Sequence, residues 1–554
     1  MTRRERTTLL LIWFFLGLLP LLVRPLWEPD EARYAEIPRE MLATGNWLTP
    51  HLNGVLYFEK PPLQYWLSAI SMKLFGVNGA AARLPLALAS GLMIWAAWRL
   101  AKRLGAREPL WAPFMAATGL LAFLVGQILT LDALFSALLV AGLVAFLEAV
   151  VKRRQGEPAL GWTLLTFGLL AGAMLTKGLA EVVLMGGILL FSLVFAWKDS
   201  DLRRAVLRTA MDPLGWLFYL VLVVPWFWAV DRVNPGHAQF FFIHEHFTRF
   251  LTHEHARQGS NNWFLDKLYF LGILALGLLP WLSATVQGLK RSWTFLQGKG
   301  PQAQDHLARW VVGSTVLAFL WPLAFFSLSG SKLPPYIVPV IVPLAALSCT
   351  FERPGEEATA LRRVGKELLL LGGIFLLAAP IFRQDLGGFG WIVALGATFV
   401  GLGLWAHRPG SLTPPRLMAA LGVALWVLIA AAETAAGPGK SVANLVRTAP
   451  QDARWISYGT YFQGLPFYAR TRVVVIAGTG ELAFGRDRLP EAGRWFNEDP
   501  ASLGAVADRL KGENPAHPIL VMAKPKTWKA LDSTEQARWE ILAASPAAVV
   551  ARRR

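Results

Sequence analysis

The sequence has few charged residues and almost no cysteine. Of its 554 residues only 16% are charged, whereas 54% are hydrophobic, a composition that is too apolar for a soluble globular protein. The single cysteine, Cys349, lies within an apolar segment, so the chain cannot form an intramolecular disulfide and its cysteine content does not indicate a redox compartment. The sequence therefore predicts a polytopic α-helical membrane protein.

Acidic residues are also scarce, with 37 against 54 lysines and arginines and a net charge of +17. This excess does not predict a nucleic-acid partner, because the basic residues are concentrated in short loops between apolar segments, where they set membrane orientation. The first apolar segment, residues 8–23, lacks a small-residue cleavage site. It is therefore expected to remain as the first span instead of being removed as a signal peptide.

A window of about 20 residues predicts about 13 membrane spans. They lie at residues 8–23, 84–100, 109–128, 133–151, 161–176, 179–197, 213–230, 267–287, 309–328, 336–350, 367–382, 389–406 and 416–435. The basic loops, such as "AKRLGARE", "VKRRQGE" and "RRVGKE", fall at alternate turns on the side of the N-terminus. The N-terminus is therefore expected in the cytoplasm and residues 436–554 on the outer side, beyond a transmembrane domain of residues 1–435.

The first outer loop, at about residues 25–83, is long enough to contain structure of its own. The segments "DEARYAEI" and "PREMLATG" mix apolar with charged residues, which predicts interfacial helices ending at Gly45. The segment "NWLTPHLNG" is typical of turns. Pro61 or Pro62 can then begin a further helix.

Ionisable residues from distant segments are predicted to meet on the outer side. The carboxylates are Asp30, Glu59 and Asp132, and the cations are Arg33, Lys60, Lys177 and Arg249. Asp132 and Lys177 lie in very short turns between apolar segments, where an ionisable residue is costly without a partner. Together these residues predict a cavity for an anionic substrate, and a lipid-linked phosphate fits because it can enter from the bilayer. For any single residue, a solvated span end is the alternative.

The outer loop "FFIHEHFTRFLTHEHARQ" is rich in histidine, with five of the nine histidines between residues 237 and 255. His244 and His246 share one face if this loop is extended. These patterns do not require a cofactor. A divalent metal, Zn²⁺ or Mg²⁺, bound by Glu59, His244 and His246 is one interpretation, and a solvated polar loop is the other.

Residues 436–554 have a different character from the rest of the chain. The segments "RVVVIAG" and "PILVMAKP" predict buried strands, and "SLGAVADRLKG" predicts an amphipathic helix between them. A small C-terminal α/β domain is expected, which caps the cavity or helps to admit the substrate. The segment "GTGE" lacks the remaining glycines of a nucleotide-binding fingerprint and is interpreted as a turn.

The motifs "EPDEARYAEIPREMLATGNW", "YFEKPPLQYW", "LTLDALF", "LTKG", "FFIHEHFTRF" and "SGSKLPPYIVP" resemble those of C-class (GT-C) polyprenyl-phosphate-dependent membrane glycosyltransferases. Among these, they are most similar to the branch that transfers 4-amino-4-deoxy-L-arabinose to lipid A. The resemblance covers about residues 8–435. It implies an aminoarabinose donor on undecaprenyl phosphate, a phosphate of lipid A as acceptor, and inverting transfer on the periplasmic face of the bacterial inner membrane.

The resemblance also implies roles for individual residues. Asp30 is the expected catalytic carboxylate, and Asp132 a second acid that positions donor sugar or acceptor. The expected contacts to the donor phosphate and its lipid are Arg33, Tyr34, Tyr57, Lys60, Lys177 and Arg249, beside Glu59. Glu31, Lys332 and Tyr336 are expected to support them.

Two rival functions stay open at this point. A related glycosyltransferase on the same framework can use another sugar or a protein acceptor, as bacterial O-mannosyltransferases do. A lipid flippase or secondary transporter also has many spans, but it is expected to show internal repeats and ionisable residues near mid-span. No such repeat is visible, and the charges collect at one face. Surface chemistry on membrane lipids is therefore favoured.

Overall fold

The computed structural model describes residues 1–248, 263–300, 303–350, 357–382, 386–408 and 414–554, without the side chains of residues 244–248, 263–265, 357–358, 382, 386–387 and 414–415. The N-terminal helix runs as Arg3–Ile12, a π-helical turn at Trp13–Leu18 and a 3-10 turn at Leu19–Leu22. The other helices before the C-terminal domain are Asp30–Thr44, Leu63–Phe75, Gly79–Arg103, Trp111–Thr118, Leu120–Gln127, Leu131–Arg154, Leu160–Lys177, Ala180–Ala196, Ser200–Ala210, Pro213–Val233, Gln239–Thr248, Trp263–Gly277, Leu282–Leu296, His306–Leu328, Pro334–Val340, Ile341–Ser348, Glu357–Ala378, Ala379–Phe382, Leu386–His407 and Pro414–Lys440.

Nine helices in this described part of the chain are long and apolar enough to cross a membrane, or ten if a bent pair counts as one span. The protein is thus a multi-pass membrane protein, but the expected count of about 13 is not confirmed. The four other predicted segments are helical yet bent, broken or short. Residues 109–128 break at Gly119, whose backbone is extended (ψ 130°), and residues 267–287 bend by 113° near Pro280, which has no amide hydrogen to continue a helix.

Two further segments are short. Helix Ala180–Ala196 has 17 residues. The predicted span at 336–350 begins as a 3-10 helix, Pro334–Val340, because closely spaced prolines remove the amide donors of an α-helix. Hydropathy counts apolar residues and does not register these interruptions.

Ion pairs tie the helix ends on the side predicted to be cytoplasmic. Glu148 is bound by Arg99 at 2.8 Å and also by Arg103. On the neighbouring helices, Arg153 contacts Asp212 at 2.5 Å. The basic residues that set orientation in the sequence are therefore also structural links between helices.

The first outer loop forms two helices joined by a hairpin. Helix Asp30–Thr44 ends at Gly45 in the left-handed conformation (φ 71°), as predicted. This helix is largely buried against other parts of the protein, and its interfacial position stays a prediction. The hairpin of β1 (His51–Leu52) and β2 (Val55–Leu56) turns at Asn53 and Gly54, both with positive φ, the residue pair that a two-residue hairpin favours.

The second helix of this loop, Leu63–Phe75, begins after Pro62, as predicted. Its C-terminal end exposes large apolar side chains, with Leu74 at 70% and Phe75 at 65% of full exposure. Such an end suits contact with lipid.

The C-terminal domain contains the six remaining strands, β3 (Arg454–Tyr458), β4 (Val474–Ile476), β5 (Phe496–Asn497), β6 (Ile519–Ala523), β7 (Trp539–Ala544) and β8 (Val549–Arg553). Their order in the sheet is β5-β4-β3-β6-β8-β7, with parallel pairing from β5 to β6 and antiparallel pairing at β8 and β7. Its helices are Ala443–Arg447, Gly464–Ala469, Ala483–Arg486, Ala492–Trp495, Leu503–Glu513, Pro525–Lys529 and Ser533–Gln536. Both predicted strands and the predicted helix between them are present.

Hydrogen bonds attach this domain to the first outer loop. The Glu28 carboxylate accepts from the backbone amides of Gln463 (2.9 Å) and Gly464 (2.6 Å) at the start of helix Gly464–Ala469. In the hairpin, the Asn53 side chain donates to the Val473 carbonyl (3.0 Å) and accepts from its amide (2.9 Å). The loop that carries the predicted catalytic acid is therefore fixed by the C-terminal domain.

Candidate active site

The first turn of helix Asp30–Thr44 carries an acidic side chain, Asp30, and a cationic one, Arg33. Arg33 Nη1 lies 3.3 Å from Asp30 Oδ1, in the i, i+3 relation of a helix surface. The Asp30 side chain is 52% exposed, while that of Arg33 is only 9% exposed. Asp30 is therefore accessible to a substrate, whereas Arg33 is enclosed beside it.

The C-terminal domain contributes a second carboxylate to Arg33. Arg33 Nε donates to Glu481 Oε1 at 2.9 Å, and the Gln463 side chain donates to the same oxygen. Burial raises the pKa of Glu481, and the guanidinium of Arg33 opposes that rise. Arg33 thus joins Asp30 of the first loop to Glu481 of the C-terminal domain.

Three buried tyrosines line the same place. The rings of Tyr34 and Tyr65 stack with centroids 6.1 Å apart. The hydroxyls of Tyr57 and Tyr65 are buried and have no hydrogen-bond partner within the described ranges. A buried polar group without a partner is costly, so these hydroxyls are suited to meet a polar ligand.

The electrostatic surroundings of Tyr34 show which predicted residues converge. Burial raises the pKa of Tyr34, the charge of Arg33 lowers it, and the carboxylates of Asp30, Glu59 and Asp132 raise it further. These three carboxylates come from separate parts of the chain. The structure therefore brings together the outer acids that the sequence grouped.

Asp132 and Lys177 form an ion pair of 2.5 Å, so the predicted need for a partner is met in each case. Asp132 lies in the first turn of helix Leu131–Arg154 and Lys177 in the last turn of helix Leu160–Lys177. The ammonium of Lys177 also lies 4.4 Å from the ring centroid of Tyr336, a cation–π contact. Lys177 thus links Asp132 to Tyr336.

Glu31 is buried at the junction of the first loop and the spans. It accepts hydrogen bonds from Arg24 (2.6 and 2.7 Å), from Arg83 (2.8 and 2.9 Å) and from the amide of Leu129 (2.9 Å). Burial alone would raise the pKa of Glu31, but the two guanidinium groups lower it to about 2. With 1% exposure, Glu31 braces the segment before Asp132 through Leu129.

Lys332 is also fully enclosed. Its ammonium contacts Asp266 Oδ2 at 2.8 Å and the Ser329 carbonyl. Lys332 therefore orders the turn that leads to Tyr336. Two of the three predicted supporting residues, Glu31 and Lys332, thus contact protein groups within the described structure.

Lys60 and Glu59 follow Tyr57 and are both partly exposed. The Lys60 ammonium donates to the Glu59 carbonyl at 2.7 Å. Lys60 lies three residues before helix Leu63–Phe75, so its charge is close to a helix N-terminus, where anions bind favourably.

The histidine-rich loop falls mostly outside the described residues. Arg249 lies there, as do the side chains of His244 and His246. Among the residues that are described, no group of three or more histidine, cysteine or acidic side chains is placed to hold a metal ion. The metal site of Glu59, His244 and His246 therefore stays a prediction.

Sequence patterns did not identify three residues of this site. Glu481 belongs to "GTGE", which was interpreted as a turn, and that turn places its carboxylate on Arg33. Tyr65 was not among the predicted site residues, yet it is fully buried beside Tyr34. Gln463 carries no sequence signal, because its role depends on contact with a domain that is distant in the sequence.

Comparison with known proteins agrees with this geometry. Residues 59–228 match the family of dolichyl-phosphate-mannose-protein mannosyltransferases. The chain is 35% identical over 390 residues to undecaprenyl phosphate-α-4-amino-4-deoxy-L-arabinose arabinosyl transferase 1 of Pseudomonas fluorescens Pf-5, covering 69% of this chain and 66% of that one. It is 35% identical over 462 residues to the corresponding transferase of Pseudomonas paraeruginosa PA7, covering 80% and 78%.

A solved structure matches over nearly the whole length. The crystal structure of ArnT from Cupriavidus metallidurans bound to undecaprenyl phosphate superposes with a TM-score of 0.76 at 27% identity, covering 99% of this chain and 97% of that one. Taken with the outer cluster of acids, cations and buried tyrosines, these similarities show that the chain belongs to the undecaprenyl phosphate-aminoarabinose arabinosyl transferase family of GT-C membrane glycosyltransferases.

Proposed function

We propose that this protein transfers 4-amino-4-deoxy-L-arabinose from undecaprenyl phosphate to a phosphate of lipid A. The observation that carries the proposal is the convergence of Asp30, Glu59 and Asp132 around Tyr34, beside the cations Arg33 and Lys177. Relatives with the same fold are named for this donor and sugar. Lipid A is proposed as the acceptor because the sequence motifs resemble those of the branch that modifies lipid A.

The transfer forms a bond between an oxygen of the acceptor phosphate and the anomeric carbon of the sugar. The bond from that carbon to undecaprenyl phosphate breaks on the opposite face, so the configuration inverts. Positive charge develops at the anomeric carbon, and a nearby carboxylate stabilises it. Asp30 is assigned this role because its side chain is half-exposed while its neighbours are enclosed.

The acceptor does not need to lose a proton. A lipid A phosphate is already ionised near neutral pH, so a general base contributes little. The carboxylates then act mainly by orienting the donor sugar and by their field. An amino sugar also carries an ammonium group. The site has carboxylates that can hold this ammonium group, namely those of Asp30, Glu59 and Glu481.

The leaving group is an anionic phosphate that needs cationic contacts. Lys60, beside the N-terminus of helix Leu63–Phe75, is assigned to the donor phosphate, with Arg33 and Arg249 as further contacts. The partnerless hydroxyls of Tyr57 and Tyr65 supply additional donors. No separate acid is then needed to protonate the leaving oxygen.

Asp132, Lys177 and Tyr336 are assigned to orientation. The 2.5 Å pair between Asp132 and Lys177 fixes both side chains, and Tyr336 covers the ammonium of Lys177. A fixed Asp132 presents its remaining carboxylate oxygen in one direction. This suits a role in aligning the sugar or the acceptor phosphate.

The bacterial inner membrane is the proposed location, with the N-terminus in the cytoplasm and the site and residues 436–554 in the periplasm. The basic loops of the sequence support this orientation. An undecaprenyl-linked donor fits the outer side, because nucleotide sugars are confined to the cytoplasm. The partners are thus two lipids of the same membrane and no nucleic acid.

A panel of donors and acceptors tests the proposal. Purified protein in detergent is given undecaprenyl phosphate-linked aminoarabinose or mannose, with lipid A or an unfolded protein as acceptor, and mass spectrometry reads the product. We expect addition of aminoarabinose to lipid A alone. Mannosylation of the protein acceptor would favour the activity named for the family matched by residues 59–228, and lipid movement across vesicles without any transfer would favour a flippase.

A further inference from the structure

A charged cavity lies between the C-terminal domain and the end of the first outer loop, apart from the candidate active site. It has a volume of about 1090 Å³, and four arginines line it together with two carboxylates. The arginines are Arg447, Arg454, Arg470 and Arg494, and we name this space the arginine cavity. Its lining therefore has an excess of two positive charges. None of the residues predicted for catalysis or donor binding lines it.

The four arginines divide into two pairs. Arg454 and Arg494 both contact the Glu513 carboxylate, at 2.8 and 3.3 Å, so their charge is partly neutralised. Arg447 lies over the ring of Tyr468, 5.4 Å from its centroid, and Arg470 projects from the C-terminal end of helix Gly464–Ala469. Both are exposed, and neither forms an ion pair with a carboxylate of the described residues.

The other charged groups of the cavity do not neutralise this second pair. The Asp452 carboxylate lies 3.6 Å from His517 Nδ1. Arg470 itself has φ of 55°, a left-handed conformation that is costly for a residue with a Cβ. Such conformations concentrate at functional sites. Arg447 and Arg470 are thus the cations left to bind an external anion.

The position of the arginine cavity indicates where that anion comes from. Val77 and Asn78 form part of the wall, and they directly follow the end of helix Leu63–Phe75. Leu74 and Phe75 at that end are 70% and 65% exposed and apolar. A cavity beside lipid-contacting side chains lies at the depth of lipid headgroups. The anion that fits this place is a phosphate carried by a membrane lipid.

One short helix connects the arginine cavity to the candidate active site. Helix Gly464–Ala469 receives the Glu28 carboxylate at its start, two residues before Asp30, and leads into Arg470 at its end. Tyr468 on this helix lines the cavity, and its hydroxyl accepts a hydrogen bond from the Leu26 amide at 2.8 Å. This helix therefore joins the arginine cavity to the segment that leads into Asp30.

We infer that the arginine cavity binds the non-reacting phosphate of the acceptor lipid, while the other phosphate enters the active site. This inference rests on the proposed function, because it takes lipid A, a lipid with two phosphates, as the acceptor. Arg447 and Arg470 then select the acceptor and take no part in the chemical step. Bidentate guanidinium contacts suit phosphate recognition.

The test measures lipid binding without donor, so that it does not depend on turnover. Full-length protein in detergent is titrated with lipid A, with lipid A from which both phosphates have been removed, and with phosphatidylglycerol. The test variant is Arg447→Gln with Arg470→Gln. The matched control is Arg538→Gln with Arg552→Gln, two exposed arginines of the same domain that do not line the arginine cavity.

We expect the test variant to bind lipid A about tenfold more weakly, since it loses two charge-assisted phosphate contacts. The control is expected to bind like the wild type, and Arg447→Lys with Arg470→Lys is expected to recover part of the affinity. Dephosphorylated lipid A should bind weakly to every variant. In transfer assays the test variant should raise KM for lipid A about tenfold with kcat unchanged.

Unchanged lipid A binding by a test variant with wild-type thermal stability would overturn the inference. Equal affinity of the wild type for phosphatidylglycerol, lost in the same variant, would also overturn it, because the cavity would then hold any anionic lipid. A wild type that binds lipid A through these arginines but transfers no sugar would support the cavity assignment. That result would refute the proposed function separately.

Discussion

Arg33 and Glu481 form a 2.9 Å ion pair although 448 residues separate them in the chain. Arg33 also contacts Asp30, and Glu481 is in turn bound by Gln463. The first turn of the helix that carries the proposed catalytic acid is therefore held by the C-terminal domain. This domain therefore contributes contacts that hold the site in place.

Glu481→Gln is expected to lower kcat/KM for transfer about tenfold, because Arg33 loses one of its two carboxylate partners and its orientation beside Asp30. Glu535→Gln is a matched control, since Glu535 contacts Arg553 at the same 2.9 Å distance with nearly the same burial. Both substitutions should cost about 1–3 kcal/mol of stability. Equal activity of the two variants would refute a positioning role for Glu481.

Asp30→Asn is expected to reduce kcat at least 100-fold, because the neutral amide cannot stabilise charge at the anomeric carbon. Folding should be unaffected, since the Asp30 side chain is half-exposed. Asp201→Asn is the control: Asp201 forms an i, i+3 pair with Arg204 at the same 3.3 Å distance, far along the chain. The mass added to lipid A per unit time gives the rates, and a fully active Asp30→Asn protein would remove Asp30 from the mechanism.

Asp132→Asn is expected to destabilise the protein by about 2 kcal/mol, because it leaves the ammonium of Lys177 enclosed without its counter-charge. The double variant Asp132→Asn with Lys177→Gln should regain most of this stability, as measured by thermal unfolding in detergent. It should remain inactive, because the carboxylate itself is missing. Recovery of transfer in the double variant would show that Asp132 serves structure alone.

Glu40 is expected to make stability depend on pH. Burial, followed by the charge of Glu36, raises the pKa of Glu40 from 4.5 to about 7. Its Oε1 accepts from the Gly54 amide at 2.6 Å, while Oε2 has no partner in the described structure. The pKa of Glu40 is higher in the folded than in the unfolded state. Its stabilising contribution to the free energy of unfolding is therefore fully present below about pH 4.5 and is lost as pH rises through 7.

Glu40→Gln should therefore flatten the pH dependence of unfolding between pH 5 and 8. Between pH 4.5 and pH 8, the free energy of unfolding of the variant should rise relative to that of the wild type by up to about 3 kcal/mol. Glu540→Gln, at an exposed position on β7, provides the control. Parallel stability curves for wild type and Glu40→Gln would contradict the assignment.

Local features of the sequence predicted the local structure well. Three local predictions were confirmed: the helix end at Gly45, the helix start after Pro62 and the two buried strands of the C-terminal domain. Each depends on residues that are close together in the chain. The need of Asp132 and Lys177 for partners followed from the cost of unpaired charges in apolar surroundings. The two residues satisfy each other.

Features that depend on long-range packing were not predictable in this way. The count of about 13 spans was not confirmed, because hydropathy does not register the breaks at Gly119 and near Pro280. The mixed apolar and charged pattern of helix Asp30–Thr44 did not indicate that other parts of the protein would bury most of it. Glu481 and Gln463 escaped notice because their partners, Arg33 and Glu28, lie more than 400 residues away.

The ion pair between Arg33 and Glu481 also sets an order of events during biosynthesis. Synthesis proceeds from the N-terminus, so Asp30 and Arg33 are made long before Glu481. A chain that stalls or is clipped before Glu481 lacks the partner of Arg33, and we expect it to lack a working site. The site is therefore expected to be complete only after the C-terminal domain has been made and has docked on the first loop.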